Sequence, residues 1–418
     1  MAGKGPKLPL QGLRIIDLTA VWAGPYATRL LGDMGAEVIK IESPNNPDLL
    51  RALSLLPPGT EKAYNKAAYF NHNNRNKLGL TLDLGSDAGK AAFFRLVAKS
   101  DVVIENYRAE VMDNLGLTFD RLKQAKEDII LISMPGHGKD GPEKDFVAYG
   151  TNVEQLAGLV SVSGYIDGPP QKSGISYGDP VAGTAAAGAV IMALIARKRT
   201  GKGQYIEMAQ REVLTAQIGE YVVGYSINGE VPQRLGNRHP FYAPHGCYPA
   251  AGEDRWVTIA CRDDAEFATL CESMGDPDLA HDPRFREAHL RHANQDALDE
   301  IIADWTRDRD AQEIFSQLSE AGVPAGPVLN HVDLYHDRHL RERGFFQSVE
   351  HRDAGNWDMD GPAYHFAHRP TSIRMNAPAF GEHNEYILRD IIGMNDAEIA
   401  ELYQNHITSD EPNMAAHQ

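Results

Sequence analysis

The chain has 418 residues, of which 42% are hydrophobic and 24% are charged, so it can bury a large core and is not a disordered or low-complexity protein. It carries 41 Lys and Arg against 58 Asp and Glu, a formal net charge of −17. This balance excludes a general nucleic-acid binder, because phosphate binding rests on Lys and Arg. The length predicts two domains rather than one.

The first 135 residues alternate short apolar strands with helical patterns, which is typical of a parallel sheet with helices on both faces. The predicted strands are Leu13–Leu18, Ala36–Ile41, Leu78–Leu84, Asp101–Glu105 and Asp128–Ser133. The predicted helices are Tyr26–Met34, Asp87–Ala98 and Phe119–Ala125. Residues 43–73 are rich in Pro and Asn and predict a loop with one helical turn. We therefore expect an α/β protein with a Rossmann-like layer.

The second half of the chain is less regular. A helix of small residues begins at Val181, residues 207–228 predict another helix, and residues 232–249 predict a linker because they are rich in Pro, Gly, His and aromatics. A smaller α+β domain follows. Its predicted elements are the strands Trp256–Ala260 and Ala325–Leu329 and the helices Asp264–Met274, Gln295–Trp305 and Ala311–Ala321; the chain then ends with the helices Asn384–Met394 and Asp396–Tyr403.

Cysteine usage and hydropathy indicate the compartment. Cys247, Cys261 and Cys271 form no Cys-x-x-Cys pair and no disulfide framework, which predicts reduced thiols. The first residues are polar and contain no apolar stretch of the secretory type. The longest uncharged helical run, Val181–Ala196, is expected to be too short and too weakly hydrophobic to span a bilayer. We expect a cytoplasmic protein with no membrane partner.

Several common site motifs are missing from the sequence. The turn Thr19–Pro25 contains a single glycine, and Trp22 stands where a dinucleotide pyrophosphate would need space, which disfavours NAD or FAD. Neither a P-loop nor a His-x-x-x-His pair occurs, so we expect no NTPase and no metal site. Gly174–Gly178 matches the Gly-x-Ser-x-Gly elbow of hydrolases, but no strand leads into it and Pro180 delays the helix. This context disfavours Ser176 as a nucleophile.

The dipeptide Asp179-Pro180, which opens the small-residue helix, has two interpretations. An Asp N-cap followed by Pro at the first helical position is a common helix start. Alternatively, the helix dipole and free N–H groups would keep the pKa of Asp179 low, so that the side chain stays an anion and can act as a carboxylate nucleophile. Gly178 and Gly183 would leave room for a substrate. The pattern itself leaves both readings open.

Three cations lie near the predicted ligand-binding edge of the sheet. Arg75 and Lys77 belong to one short motif, and Arg108 follows a predicted strand, at the carboxyl end where open α/β sheets bind ligands. The sequence is equally compatible with ordinary loop cations and with phosphate binding.

A series of short motifs resembles the family III CoA-transferases, the group that contains formyl-CoA, carnitine-CoA and benzylsuccinate CoA-transferases. The motifs occur in the family's order from about residue 8 to about residue 405: Leu10–Leu18, Ala23–Pro25, Gly35–Glu42, Asn74–Lys77, Glu105–Arg108, Asp167–Pro170, Gly178–Asp179, Arg197–Gln204, Asp282–Phe285, Gly322–Pro327 and Gly381–His383. Each motif alone is weak, but the ordered set is specific.

This resemblance implies a fold and an assembly. We expect a large Rossmann-like CoA-binding domain over residues 1–230, a linker and small α+β domain over 231–330, and a return to the large domain over 331–418. The resemblance also implies that two ring-like subunits interlock as a dimer. No cofactor would be bound permanently, since coenzyme A thioesters are the substrates.

The resemblance also implies a mechanism and a site. Asp179 matches the family's nucleophile, which attacks an acyl-CoA donor, forms a mixed anhydride and then an aspartyl–CoA thioester, and passes CoA to an acceptor carboxylic acid. The residues implied in CoA binding are Trp22, Ala23, Leu82, Asn106, Tyr107 and Arg108, with Arg75 and Lys77 as further candidate cations.

The sequence departs from the formyl-CoA branch, which has Gln where Trp22 stands and a glycine-run loop that is missing between Arg234 and Val257. Trp22 together with Phe241, Tyr242 and Tyr248 suggests a bulky, aryl- or alkyl-substituted acceptor acid. The donor could be succinyl-CoA.

Two alternatives stay open. An α-methylacyl-CoA racemase shares this fold, but it pairs the Asp with a His, and Tyr149 stands near that position here; a phenol with a pKa near 10 is a poor partner for proton exchange at an α-carbon. The chain could also be one subunit of a hetero-oligomeric transferase rather than a homodimer. In that case Asp179 makes it the catalytic subunit.

Overall fold

A computed structural model of the chain describes residues 8–53, 55–57, 59–368 and 371–413. The chain divides into two compact units. The large unit comprises residues 1–159, 172–227 and 341–418, and the small unit comprises residues 160–171 and 228–340. The sequence places these boundaries after residues 230 and 330, whereas the chain leaves the large unit after residue 227 and returns to it at residue 341.

The large unit is built on a six-stranded, fully parallel sheet in the order β3-β2-β1-β4-β5-β6. Its strands are β1 Arg14–Asp17, β2 Glu37–Glu42, β3 Lys77–Thr81, β4 Val102–Glu105, β5 Ile130–Ser133 and β6 Tyr205–Glu207. Neighbouring residues of each strand face opposite layers: Ile15 packs into one buried cluster and Ile16 into the other. Because helices cover both faces, these strands are apolar runs without polar alternation.

The helices of this part of the large unit are α1 Ala23–Asp33, α2 Leu49–Ala52, α3 Ala68–Asn74, α4 Asp87–Val97, α5 Val111–Asn114, α6 Phe119–Ala125, α7 Gly150–Leu156, α8 Gly178–Thr200, α9 Gln210–Thr215 and α10 Gly219–Asn228. Ser86 and Thr118 cap α4 and α6 by accepting backbone N–H groups. Helix α8 lies against α1, and the contact is so close that a Cβ on Gly183 would stand 2.5 Å from the carbonyl oxygen of Ala23.

The small unit contains an antiparallel three-stranded sheet in the order β7-β8-β9, formed by β7 His245–Pro249, β8 Trp256–Ala260 and β9 Ala325–Pro327. Its helices are α11 Asp264–Met274, α12 Ala288–Ala293, α13 Gln295–Thr306, α14 Ala311–Ala321, α15 His331–His336 and α16 Arg338–Glu342, which reaches the boundary. The unit has its own apolar core, which includes Phe267, Phe285 and Ile314. The three cysteines lie in this unit and are free.

The returning segment adds a hairpin, β10 Phe346–His351 and β11 Gly355–Asp360, a π-helical turn over Tyr386–Ile391, and α17 Asp396–Gln404. Ile387, Leu388, Ile399 and Leu402 pack into the sheet cluster that contains Ile16. The end of the chain therefore completes the core of the large unit.

Five predicted features need correction. Residues 43–73 hold α2, α3 and a 3₁₀ turn at Ala63–Asn65 instead of a single helical turn. The predicted helix 207–228 is β6 followed by α9 and α10, and part of the predicted linker 232–249 is β7. The hairpin β10–β11 has no predicted counterpart. Each of these segments is short or weakly periodic, so its sequence pattern is a weak predictor of its secondary structure.

The fifth correction concerns α8, which has 23 residues and extends beyond the predicted run in both directions. By length and composition it is the one described helix that could cross a bilayer, contrary to the prediction that this run is too short and too weakly apolar. In the large unit, α8 contacts α1, α7 and α9, and several of its small apolar residues belong to the buried core. An apolar composition is therefore also explained by packing inside the protein.

Candidate active site

A cavity of about 430 Å³ opens at the carboxyl end of the large unit's parallel sheet, where open α/β sheets bind ligands. It is lined by the loops that follow β1, β4 and β5, by the start of α7, and by Asp179 and Gln210 from the first turns of α8 and α9. The topology thus brings together residues that are far apart in the sequence.

Asp179 is the second residue of α8, and its side chain does not cap the helix, whose N-cap is Tyr177. The residue is 8% exposed. Glycines allow other segments to approach it: a Cβ on Gly150 would lie 2.0 Å from Asp179 Oδ2, and a Cβ on Gly178 would lie 2.5 Å from Leu214. The carboxylate therefore lies close against α7, and it does not have the N-cap role of the simpler interpretation.

The electrostatic prediction for this side chain is wrong. Burial raises the pKa of Asp179 to about 7, the negative charge of Glu154 adds to the rise, and the hydrogen bond from the backbone N–H of Ala23 only partly offsets it. The helix start does not hold the pKa low, because the N–H of Gly178 donates to Glu154 Oε1 at 3.4 Å and not to Asp179. The carboxylate is thus a buried anion with little compensation.

The turn after β1, residues 18–22, is held by buried polar side chains. Asp17, Asn106 and Asp48 accept the backbone N–H groups of Thr19, Ala20 and Val21 at 2.9, 2.8 and 3.1 Å. Asn106 also donates to the carbonyl oxygen of Ala20 at 2.9 Å.

Val21 has a φ of +67°, an unfavourable conformation for a β-branched residue, and these hydrogen bonds maintain it. The next residues along the turn are Trp22 and Ala23, so the network orients the N–H that reaches Asp179.

Two aromatic rings stand beside the nucleophile candidate. Trp22 and Tyr69 contact edge to face with centroids 5.4 Å apart. Burial raises the pKa of Tyr69, and the negative charge of Asp179 raises it further. The indole N–H of Trp22 is buried and has no hydrogen-bond partner among the described residues, so it can serve a ligand.

Five of the predicted CoA-binding residues lie around Asp179. Asn106, Tyr107 and Arg108 line the cavity, Ala23 donates to Asp179, and Trp22 precedes Ala23. Arg108 is exposed, whereas the amide of Asn106 is engaged with Ala20. The structure therefore gives Asn106 a role in holding the turn.

The other three predicted residues are not available to a ligand. Arg75 is 1% exposed and pairs with Asp33 at 2.8 Å, and Lys77 is fully buried and pairs with Asp17 at 2.9 Å. Leu82 is buried in the sheet core. The motif around Arg75 and Lys77 thus has a structural role here, and we leave all three residues out of the site.

Sequence reasoning missed Glu154, Gly150 and Lys144, of which the last two line the cavity. Glu154 carries a detectable signal only after α7 is known, because Gly150 and Glu154 then fall one turn apart on the same face. No histidine lines this cavity in the described residues. Within the same residues, no group of three or more His, Cys, Asp or Glu side chains could hold a metal.

The chain matches the family model described as CoA-transferase family III over residues 10–384. It is 33% identical to the succinyl-CoA–D-citramalate CoA-transferase of Chloroflexus aurantiacus, over 97% of this chain and 100% of the relative. It is 36% identical to the succinyl-CoA:mesaconate CoA-transferase of Haloarcula hispanica, over 91% of this chain and 95% of the relative.

Subunit composition varies among the relatives. The alpha and beta subunits of succinyl-CoA–L-malate CoA-transferase of Chloroflexus aurantiacus are 30% and 32% identical to this chain, which covers 93% and 100% of their lengths. Among solved structures, a CaiB/BaiF family protein from Brucella suis superposes with a TM-score of 0.83 at 31% identity, over 93% of this chain and 100% of that one.

Proposed function

The chain belongs to CoA-transferase family III, and from this premise we propose that it transfers CoA from succinyl-CoA to an acceptor carboxylic acid through Asp179. The observation that carries the proposal is the position of Asp179: a buried carboxylate that lines a cavity and lies close against Gly150, with a pKa raised to about 7. Such a group is ionised above neutral pH and is poorly stabilised as an anion, which suits a nucleophile.

The reaction starts when an Asp179 oxygen attacks the thioester carbonyl of the donor. A C–O bond forms, the C–S bond breaks, and the CoA thiolate leaves with the electron pair. The thiolate then attacks the aspartyl carbonyl of the mixed anhydride, giving the aspartyl–CoA thioester and free succinate. The acceptor carboxylate repeats both steps in reverse. The N–H of Ala23, oriented by the turn at residues 18–22, is the donor next to the reacting carbonyl.

CoA would enter past the loops after β4 and β5. Arg108 and Lys144 are exposed cations on the cavity that also contains Asp179, and they suit the phosphate groups of CoA. Tyr107 lines the same cavity. The buried indole N–H of Trp22 is a further donor for a substrate oxygen.

Short dicarboxylic acids are the acceptor class we favour, because two of the relatives are named for transfer to citramalate and mesaconate. The aryl- or alkyl-substituted acid inferred from the aromatic residues is the alternative. Tyr248, one of the aromatic residues behind that inference, supports it less in the structure, because it is 3% exposed and its hydroxyl donates to Asp299. A panel of both acid classes, with succinyl-CoA as donor and new thioesters followed by mass spectrometry, decides between them.

We propose that the chain forms an interlocked homodimer in the cytoplasm. Helix α10 has no buried residue within the single chain and exposes Val222, Val223, Tyr225 and Ile227, an apolar surface that a second copy would cover. The alternative is a hetero-oligomer with a related subunit, as in the malate enzyme's alpha and beta naming. Light scattering and an assay of this chain expressed alone separate the two: a homodimer is active without a partner.

The covalent route is tested by trapping. Enzyme incubated with succinyl-CoA and no acceptor should accumulate the aspartyl thioester, which hydroxylamine converts to a hydroxamate and borohydride reduces. Peptide mapping should place the change on the peptide that contains Asp179. Direct transfer in a ternary complex, or racemase chemistry, would leave no donor-dependent adduct, and a label on Ser176 or Glu207 would contradict the assignment of Asp179.

A further inference from the structure

A second buried carboxylate, Glu154, lies on the helix that faces Asp179. Gly150 and Glu154 are four residues apart on α7 and therefore share one face of that helix. Gly150 marks that face as the one against Asp179, since a Cβ there would lie 2.0 Å from Asp179 Oδ2. Glu154 is 1% exposed. The face of α7 that provides room for the nucleophile thus also provides a negative charge.

Glu154 is held by neutral donors. Its Oε1 accepts the backbone N–H of Gly178 at 3.4 Å, and its two oxygens accept the Ser173 hydroxyl at 3.2 and 3.0 Å. In the described part of the chain, Glu154 forms no ion pair with Lys, Arg or His. Gly178 is the first residue of α8, and its N–H is one of the free donors of the helix start. Glu154 therefore receives the stabilisation that a helix N-terminus offers to an anion.

We propose that Glu154 is a positioning residue that activates Asp179 by placing beside the nucleophile a negative charge that no cation of the described residues pairs with, and by occupying the first N–H of α8. The inference rests on the proposed function, because it requires Asp179 to be acylated. Attack on the donor forms the C–O bond, breaks the C–S bond and moves the negative charge from Asp179 to the departing CoA sulfur. Asp179 is then neutral in both covalent intermediates, and its repulsion with Glu154 is relieved.

The other groups around Asp179 do not supply this charge. Helix α3 contributes the phenol of Tyr69, α1 contributes the backbone N–H of Ala23, and α9 contributes the neutral amide of Gln210. The cations of the cavity, Arg108 and Lys144, are exposed, so solvent screens them. Removal of the Glu154 charge should therefore lower the pKa of Asp179 towards that of an ordinary carboxylate.

The test is Glu154→Gln, which keeps the shape and the acceptor oxygen and removes the charge. Single-turnover formation of the aspartyl thioester from succinyl-CoA is measured across pH 4.5–9, a range chosen to bracket about 7. We expect the acid limb to move down by roughly one pH unit and the plateau rate to fall by roughly tenfold, because a less basic carboxylate is a weaker nucleophile. Glu154→Ala should move the limb in the same direction, and Glu154→Asp, which keeps the charge, should restore it.

Glu105 provides the matched control. It is also buried, and burial raises its pKa to about 7, but it does not line the cavity. Glu105→Gln should leave the midpoint of the acid limb where it is in the parent enzyme. A parental midpoint in both neutral Glu154 variants, or a rate loss that is equal at every pH, overturns the inference while a trapped thioester in the parent still supports the proposed function. No trapped thioester in the parent overturns the proposed function itself.

Discussion

Two buried carboxylates accept backbone N–H groups from the same short stretch of chain, yet their surroundings differ. Asp17, at the end of β1, accepts from Thr19, and Asp179, at the start of α8, accepts from Ala23. Asp17 is fully buried and forms an ion pair with Lys77 at 2.9 Å. It also accepts a hydrogen bond from the Thr28 hydroxyl at 2.7 Å. Although burial opposes it, the charges of Lys77 and Lys40 hold the pKa of Asp17 below its ordinary value.

Asp179 has no such partners. Burial raises its pKa, the charge of another carboxylate, Glu154, raises it further, and a single backbone N–H works against the rise. Burial alone does not make a carboxylate reactive: with cations and hydroxyl donors it produces a fixed structural anion, and without them it produces a basic, poorly stabilised one. Asp17 helps to hold the turn at residues 18–22, and Asp179 accepts the backbone N–H of Ala23, the residue that follows this turn.

The largest effect is expected for Asp179→Ala. Removal of the proposed covalent nucleophile should lower transfer by roughly 10³-fold or more. Because the side chain does not cap α8, no loss of helix-cap stability is expected, and the melting temperature should stay at or above that of the parent. Steady-state transfer and thermal unfolding of the same preparation check both statements. Activity within tenfold of the parent would assign the nucleophile to another residue.

The second prediction concerns the compensated carboxylate. Lys77→Met leaves the buried Asp17 without its cation, and breaking a buried pair in this way costs about 3–5 kcal/mol. The expected result is a marked fall in the unfolding temperature, with activity lost through unfolding. Lys99→Met is the control, because Lys99 is exposed and its removal should leave the transition unchanged. Equal melting temperatures for the two variants would contradict the structural role of Lys77.

The sequence predicted most of the large sheet but not all of the strands. The alternating apolar runs predicted five of the six strands of the large sheet, because strands buried on both faces leave a strong local signal. The sixth strand, Tyr205–Glu207, has three residues and depends on its pairing with β5. The hairpin β10–β11 is stabilised by its own pairing and has little apolar periodicity.

Motif order predicts which residues form the site, but it does not predict their electrostatics. Two of the predicted residues, Asp179 and Arg108, line one cavity. Arg75 and Lys77 are instead paired with carboxylates more than forty residues away in the sequence. Burial is the first cause of the raised pKa of Asp179, and the second is the charge of Glu154, which is 25 residues distant in the sequence and is brought near by the packing of α7. Charge compensation is a property of the folded arrangement, so a linear pattern carries no record of it.

A third prediction uses the space between α7 and Asp179. In Gly150→Ala the new methyl group would stand 2.0 Å from Asp179 Oδ2, so the carboxylate must move. A displacement of this size should lower the rate of thioester formation by roughly 10–100-fold. Gly188→Ala on α8 is the control, since no atom lies within 4 Å of the added Cβ and activity should be retained. Similar activity in both variants would mean that Asp179 needs no fixed position.

The fourth prediction contrasts the two kinds of cation. Arg108 is exposed on the cavity, unlike the buried Lys77, so Arg108→Ala should raise the KM for succinyl-CoA by roughly tenfold with a smaller effect on kcat, as loss of uniform binding does. Arg199→Ala removes the same charge at the far end of α8 and should change neither constant. An unchanged KM in a folded Arg108→Ala protein would remove Arg108 from the CoA site.

The smallest effect separates the two carboxylates by the sign of their contribution to stability. The pKa of Asp179 is higher in the folded chain, at about 7, than its ordinary value of 3.8, so between these values the folded state binds more protons than the unfolded state and stability falls as the pH rises. Asp179→Asn lacks this loss, and it should melt roughly 1–3 °C above the parent at pH 8 and match it at pH 4.

Asp17 acts in the opposite sense: its folded pKa is lowered, so its contribution is present above 3.8 and is lost as the pH falls through the folded value. Melting curves of parent and Asp179→Asn from pH 4 to pH 8 test the contrast, and a variant that is less stable than the parent at pH 8 would show that Asp179 is compensated after all.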